Sequence, residues 1–435
     1  MFGYRIQYPF LRRKCSMNPR PVLAKCLPAG VRSFIKNVLG ISSTDTSVDE
    51  RLSALRTSLA AAGHRADADA MALRGRIERI EAALDASGAL PRRVETARGY
   101  FEKLACEKNL FRASGWMLLP DRELDTASLY INRVKVAQEE LAERGSLQDA
   151  FPFISHSRRS AFDFSVPLPQ QDGGGFTEIR VTGSSRGNEA AQMVAWYYPG
   201  LYSCYPLPPA ENIKRSQGSI WGDMFMISGL QSYMEFWNLA SSHLDARGIR
   251  TMLEWGCGCG RITRFFLSFS GIPSIHGCDI DSDSIAWCRD FLPPGIFSTV
   301  DPYPPTGYAD DSFDLIIAYS VLTHLAKEVQ HAWLEELRRI LAPGGLLLAT
   351  VHGEFAAGFA LPGRQAEELL AGGIYDGMVD HGLDGVAPSG YYRGVFQKQG
   401  YTREAYSRYF EIIDYRERGA LNFQDMVVMR KRRSE

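Results

Sequence analysis

The run Leu253-Glu254-Trp255-Gly256-Cys257-Gly258-Cys259-Gly260-Arg261 constrains the fold of this chain more than any other segment. An apolar stretch ends in an acid, three glycines follow at alternate positions, and a helix is predicted beyond them. Glycine lacks a Cβ, so positive φ is accessible and a ligand can press against the backbone. A sharp turn of this kind at the carboxyl end of a parallel strand is where open α/β sheets bind nucleotides. The dinucleotide fingerprint is G-x-G-x-x-G, whereas here Arg261 stands where its third glycine would be. NAD and FAD are disfavoured, and a nucleoside without a pyrophosphate fits better.

The following segments alternate between strand and helix patterns. Residues 274–281 read as a short strand ending in Asp279 and Asp281. Asp279 lies about twenty residues beyond the glycines, where an acid can accept bonds from a ribose diol. Residues 312–320 read as a buried strand. From Lys327 to Leu341, Val329, Leu334, Leu337, Ile340 and Leu341 recur at helical spacing. Pro343-Gly344-Gly345 ends that helix, and residues 346–351 are again of β type. This alternation implies βαβ units and a parallel sheet.

Five segments together carry a resemblance: E-W-G-C-G-C-G-R at 254–261, G-C-D-I-D at 277–281, D-S-F-D-L-I at 311–316, Y-S-V-L-T-H-L at 319–325 and L-A-P-G-G at 341–345. In this order and spacing, residues 218–433 resemble the class I S-adenosylmethionine-dependent methyltransferases. The resemblance implies a Rossmann-like seven-stranded α/β sheet whose last strand is antiparallel, with 411–416 and 425–430 as the terminal pair. It implies S-adenosylmethionine as cofactor. Gly256, Gly258 and Gly260 would admit its methionine part, with Glu254 as the nearby acid. Asp279 would accept from both ribose hydroxyls, Ile280 would lie against the adenine, and Asp301 would accept from the adenine amino group. Tyr319 and Ser320 would sit where methyl donor meets acceptor.

Methyl transfer from a sulfonium is an in-line displacement that chiefly demands proximity and orientation. An oxygen or nitrogen acceptor can also need a base, and histidine titrates near neutrality. His324 and His352 follow the fourth and fifth strands at the correct sheet edge and are the candidate catalytic residues, with Glu354 a further carboxylate. His324 could instead cap or pack.

The 435-residue chain has room for roughly two to three domains. Residues 1–47 are expected to be a flexible segment. Residues 48–95 carry apolar residues at coiled-coil-like spacing, either a dimerisation helix or a helical linker. From about residue 105 to 205, short β-type runs alternate with turns, which predicts a small antiparallel sandwich. Its S-G-W-x-L-x-P, L-Y-I-N, D-A-F-P and A-F-D-F motifs are similar to accessory domains beside bacterial enzymes of surface-polysaccharide pathways. Trp116 or Tyr130 could meet a sugar there, though a strand aromatic such as Trp116 more often belongs to the core. The catalytic domain is expected over 212–435. Within it, residues 223–246 are expected to be a helix or helices, which the resemblance implies would cover the cofactor and which could equally serve packing, and the glycine-rich stretch 353–394 is expected to be a substrate-binding insertion or lid bearing Tyr375, His381, Tyr391 and Tyr392.

The formal net charge is −1, with no basic run that marks a nucleic-acid footprint, so nucleic acid is not an expected partner. No run of eighteen apolar residues occurs, so no transmembrane helix is expected. Cys257 and Cys259 are one residue short of the usual zinc spacing and read as small packing residues. The eight scattered cysteines and the enzyme class suggest a reducing, cytoplasmic setting. The expected activity is methylation of a hydroxyl on a sugar or glycan intermediate. A small metabolite or lipid-linked precursor as acceptor, or a non-catalytic scaffold, are the alternatives.

Overall fold

The computed structural model describes residues 94–433, apart from 108–109, 120–121, 152–153, 155, 168–174, 204 and 362. The expected flexible segment at 1–47 and almost all of the helical segment at 48–95 lie outside the described residues.

The first described part is a two-sheet sandwich. Its elements are β1 (Glu95–Thr96), β2 (Arg98–Glu107), β3 (Leu110–Leu118), β4 (Thr126–Ile131), β5 (Val134–Glu140), β6 (Ala142–Glu143), the short helix α1 (Gly145–Ala150), β7 (Arg159–Pro167), β8 (Thr177–Ser185) and β9 (Asn188–Tyr197). One sheet runs β1-β9-β8-β4-β5 and the other β2-β3-β7-β6. Every second residue of β7 is buried along Ser160–Val166, the period-2 pattern of a strand with one face on a core. Phe101, Phe111, Phe162 and Phe164 from one sheet meet Leu129, Ile179, Val181 and Met193 from the other. The sandwich opens before the expected boundary at 105, because β1 and most of β2 precede it. Lys103, Glu107 and Arg112 on the outer side of the β2–β3 hairpin interrupt its apolar pattern, which hides β2 from a reading of hydropathy.

Helices α2 (Ala210–Gln217) and α3 (Gly222–His243) lead into the second part. There β10 (Thr251–Trp255), α4 (Thr263–Phe269), β11 (Ser274–Asp279), α5 (Ser282–Phe291), β12 (Ile296–Thr299), β13 (Phe313–Ala318), α6 (Lys327–Ile340) and β14 (Leu341–Val351) alternate. Next come α7 (Glu354–Ala360), α8 (Gly363–Gly372), a hairpin of β15 (Ile374–Val379) and β16 (Arg393–Gln397), α9 (Gln399–Tyr406), β17 (Glu411–Ala420) and β18 (Gln424–Arg430). The main sheet has seven strands in the order β12-β11-β10-β13-β14-β18-β17. The pairs from β12 to β14 are parallel; β14–β18 and β17–β18 are antiparallel.

Both faces of this sheet are covered, as a parallel sheet requires. Met252, Leu315, Ile317, Leu346 and Leu348 point to a layer containing α3 and α4. Leu253, Ile316, Ala318, Leu347 and Ala349 point the other way, against Trp333, Leu334 and Leu337 of α6 and Tyr406 of α9. The strand order reverses between β10 and β13, so a crevice opens at their carboxyl ends. The stretch 353–394, expected as an irregular lid, instead holds two helices and a strand. Ala357, Leu361, Ala366, Leu369, Tyr375 and Phe396 give it a core of its own. None of the described helices is long and apolar enough to cross a membrane.

Candidate functional site

The crevice contains a cavity of about 540 Å³. One wall is the turn after β10. Gly256, Gly258 and Gly260 adopt φ of 75°, 50° and 74°, a region that L side chains avoid. A Cβ on Gly256 would come within 2.2 Å of Val321 Cγ2, and one on Gly260 within 2.3 Å of Leu292 Cδ1. The glycines are therefore demanded first by the backbone and its own neighbours. Gly256 and Gly258 line the cavity, while Gly260 faces away from it into α5.

Asp279, at the end of β11, braces this turn. The Gly258 N–H donates to its Oδ2 at 2.7 Å, and the Asp281 N–H donates to its Oδ1 at 2.9 Å. Burial raises its pKa above the ordinary value. Ile280 lies beside it on the cavity wall, as do Val300, Trp333 and Tyr391. Asp301 does not join them. With Val300 turned inward, the next side chain is exposed and lies outside the cavity lining, which corrects the expectation for Asp301.

Glu254 is 2% exposed on β10 and accepts a hydrogen bond from the Thr263 hydroxyl. Burial pushes its pKa up to about 7, against the pull of the Arg261 charge. Arg261 is a cavity residue that glycine spacing alone left without a role. Its Nη1 donates to the Ser228 hydroxyl at 3.2 Å, and its guanidinium lies 4.4 Å from the centre of the Tyr319 ring. Helix α3 supplies Met224, Ile227, Ser228 and Gln231 to the same wall.

Tyr319 and Ser320 follow β13. Ser320 holds φ of 58°, a strained value for a residue other than glycine. Its N–H donates to Thr350 Oγ1 at 2.7 Å, and its hydroxyl accepts from Gln424 Nε2 at 2.9 Å. Gln424 in turn accepts from Thr350 Oγ1 at 2.6 Å. This three-residue network pins the turn to β14 and β18.

The two histidines part company. His324 lines the cavity. Its Nδ1 lies 2.9 Å from the Arg393 carbonyl and 3.7 Å from Asp380 Oδ2, and its ring stacks on Tyr392 at 4.1 Å. A carbonyl can only accept, so Nδ1 carries the proton and the lone pair is on Nε2. Burial lowers the His324 pKa to about 4, so the ring is neutral at pH 7. His352 stands behind it, 6.1 Å away centre to centre, stacked on Phe396 and outside the cavity lining. Burial, with the charges of His324 and Arg98, lowers its pKa to about 3. Glu354 and His381 are also outside the lining, and His381 pairs with Asp384 at the surface.

The far wall comes from segments the sequence did not connect to the site. Gly99, Tyr100, Phe101 and Met193 belong to the sandwich, and Leu421, Asn422, Phe423 and Gln424 to the β17–β18 turn. Asp380, Gly382, Leu383, Tyr391 and Tyr392 close the side toward the β15–β16 hairpin. Two sandwich aromatics singled out by sequence lie elsewhere. Trp116 is buried against Tyr100 and Phe151, and the Tyr130 hydroxyl donates to Glu189 at 2.6 Å. Cys257 and Cys259 are buried packing residues with thiol pKa values raised by burial.

Residues 253–347 match a protein family described as "Methyltransferase domain". Over 159 residues the chain is 28% identical to the hybrid PKS-NRPS synthetase traA of Penicillium crustosum, covering 35% of this chain and 4% of that relative. Among solved structures it is similar to an S-adenosylmethionine-dependent methyltransferase of Methanosarcina mazei, at 18% identity and a TM-score of 0.34, over 45% of this chain and 98% of the other. It is also similar to the N-methyltransferase NodS of Bradyrhizobium japonicum in complex with S-adenosyl-l-homocysteine, at 14% identity and a TM-score of 0.30, over 46% of this chain and 84% of the other. The residues around the crevice fit such a nucleoside: exposed backbone at a glycine turn, an acid beyond the second strand, an apolar slot, and an acid and a cation at the other end. The chain is an enzyme with a class I S-adenosylmethionine-dependent methyltransferase domain, and S-adenosylmethionine is its cofactor.

Proposed function

We propose that this enzyme methylates a hydroxyl of a sugar or glycan intermediate held between the methyltransferase domain and the sandwich. When bound, the cofactor supplies a methyl group activated by its sulfonium. Asp279 would accept from the ribose, Ile280 and Val300 would flank the adenine, and Glu254 and Arg261 would complement the ammonium and carboxylate of the methionine part. Tyr319 and Ser320 border the transfer point. The observation that carries the reading is the His324 arrangement. Asp380 and the Arg393 carbonyl lie on the Nδ1 side, so among the described residues the Nε2 lone pair is left for an acceptor proton. Asp380, whose side chain is 38% exposed, would then stabilise the imidazolium by charge across 3.7 Å. His352, lying behind the wall, orients His324 rather than taking the proton.

The sandwich supports an extended acceptor, because its β2 forms part of the cavity wall. Aromatic faces at Tyr100, Tyr392 and Phe423 suit sugar rings. The test is methyl transfer from labelled S-adenosylmethionine to a panel of sugars, nucleotide sugars and glycan extracts. We expect transfer that His324→Ala lowers about 10²–10⁴-fold, with cofactor affinity unchanged. Near-wild-type turnover of the His324→Ala enzyme on its true acceptor would sink the base assignment.

A further inference from the structure

Among the described residues, Arg98 has a guanidinium with no anionic partner. It is 8% exposed, at the start of β2. Its Nε and Nη1 are enclosed without any hydrogen-bond partner. Three aromatic rings surround it: Phe423 at 3.8 Å, Tyr100 at 4.6 Å and Trp116 at 5.7 Å from the guanidinium carbon to the ring centre. Rings occupy the faces of a guanidinium, but its five N–H donors lie in its plane. Burying such donors unpaired is costly.

Buried carboxylates of α3 and of the main sheet have partners of their own. Glu235 accepts from the Leu421 N–H at 3.0 Å and from Gln231. Asp425 accepts from the Tyr415 hydroxyl at 2.7 Å and the Arg418 N–H at 2.9 Å. Glu254 is held by Thr263. Arg264 is a useful contrast. It is at least as buried, yet its Nε and Nη1 donate to the Gly260 and Pro206 carbonyls. Arg264 thus finds carbonyl partners for these two donors and leaves its Nη2 unpaired, whereas among the described residues Arg98 has a partner for neither.

Arg98 is also in the right place. Arg98 itself is not part of the cavity lining, but its chain neighbours Gly99 and Tyr100 and its ring partner Phe423 are, so its guanidinium stands directly behind that wall. A Cβ on Gly99 would come within 2.2 Å of the Trp116 carbonyl and 2.4 Å of Met193 Sδ. Glycine at that position lets β2 lie tight against β3 and β9 and fixes where Arg98 stands. Its ring partner Phe423 precedes Gln424, whose Nε2 donates to the Ser320 hydroxyl at 2.9 Å, which puts Arg98 near the acceptor end.

We propose that Arg98 is an anion-recognition residue contributed by the sandwich, and that the methyl acceptor carries a carboxylate or phosphate that displaces the Tyr100 and Phe423 rings between the cavity and Arg98 and takes up its unpaired N–H donors. This rests on the methyltransferase reading above and narrows the acceptor to an acidic sugar or a sugar phosphate.

The test uses the full-length protein saturated with S-adenosylhomocysteine and titrated with glucuronate, glucose 1-phosphate and neutral glucose, followed by tryptophan fluorescence. At least one of the two anions binds the wild type more tightly than glucose does. Arg98→Gln weakens that anion about tenfold or more, the loss expected for a charged hydrogen bond, and leaves glucose and S-adenosylhomocysteine unchanged. Preference for glucuronate assigns the carboxylate, and preference for glucose 1-phosphate assigns the phosphate. Arg98→Lys keeps the charge without the planar fork and decides the matter if the Gln variant does not fold; it weakens the same anion by a smaller factor. Equal anion affinity in wild type and variant, with S-adenosylhomocysteine still bound, overturns the Arg98 assignment alone. Failure of the wild type to bind S-adenosylhomocysteine overturns the underlying reading and this one with it.

Discussion

Replacing Glu254 by glutamine isolates one buried charge. The carboxyl is 2% exposed, and burial raises its pKa from 4.5 to about 7. A difference of that size corresponds to about 3 kcal/mol between its protonation states, at 1.36 kcal/mol per pH unit. The folded value lies above the unfolded one, so the folded state binds more protons between them. The contribution to stability is complete below pH 4.5 and is lost as pH rises through about 7. Glutamine is neutral throughout and can still accept from the Thr263 hydroxyl. The Glu254→Gln protein is therefore more stable than wild type by about 1 kcal/mol at pH 5 and about 3 kcal/mol at pH 8. Urea unfolding of both proteins across pH 5–8 measures this gap. Taking the difference matters, because Glu235 at about 7 and Asp425 at about 6 slope the same way while His324 and His352 slope the opposite way. Cofactor binding carries the reverse sign. If ionised Glu254 faces the methionine ammonium, wild-type affinity for S-adenosylhomocysteine rises with pH through 7 and that of the variant is flat. Parallel stability curves for the two proteins would refute the reasoning, since they would mean that Glu254 is already ionised and solvated in the fold.

Two further outcomes follow from the same turn. Asp279→Asn places an amide N–H₂ against the N–H of Gly258 or Asp281, leaving one buried donor unpaired at a cost of about 1–3 kcal/mol; calorimetry should show cofactor affinity falling about 5–150-fold. Retained affinity within about twofold would remove Asp279 from the site. Gly256→Ala meets both positive φ and Val321 Cγ2 at 2.2 Å, so a chemical unfolding curve should record a loss above about 1–2 kcal/mol, which the double variant with Val321→Ala only partly recovers. Full recovery would show that crowding, not backbone strain, makes the glycine necessary.

The donor half of the site was legible in the sequence for a physical reason. Gly256, Gly258, Asp279 and Ile280 lie on two adjacent parallel strands and the turns that leave them, so their spacing along the chain is nearly their spacing in space. Hydropathy runs marked β10, β11, β13 and β14 because those strands are buried on both faces. The acceptor half obeys no such local rule. Arg98 opens a strand whose outer residues are charged, Asp380 lies in a glycine-rich stretch, and Gln424 follows a turn after an edge strand. Asp301 failed for the converse reason. Alternation along an extended segment sends one of two neighbours outward, and composition alone does not choose between Val300 and Asp301. His324 and His352 looked equivalent as residues following adjacent strands. The chain leaving β13 turns through the strained Ser320 into the cavity, whereas His352 is still held in a bridge to Phe396 and stays behind the wall.

The sandwich and the sheet also share a core, and this bears on what the sandwich does. Ile227 of α3 packs within the sandwich core, and Phe176 and Tyr198 of the sandwich meet Phe269 of α4 through ring contacts of 5.0 and 5.2 Å. Such ring pairs add about 0.5–1.5 kcal/mol each beyond the area they bury. A module tethered only to bring a distant glycan nearby would need no such seam. A module that supplies a wall does, because a residue such as Arg98 must be held to within about 0.5 Å to recognise a small group. The stiffness of the seam, rather than the surface of the sandwich, is thus the feature that couples this domain to the chemistry. Substitutions that loosen it, such as Phe269→Ala, should blur acceptor selection before they weaken the cofactor.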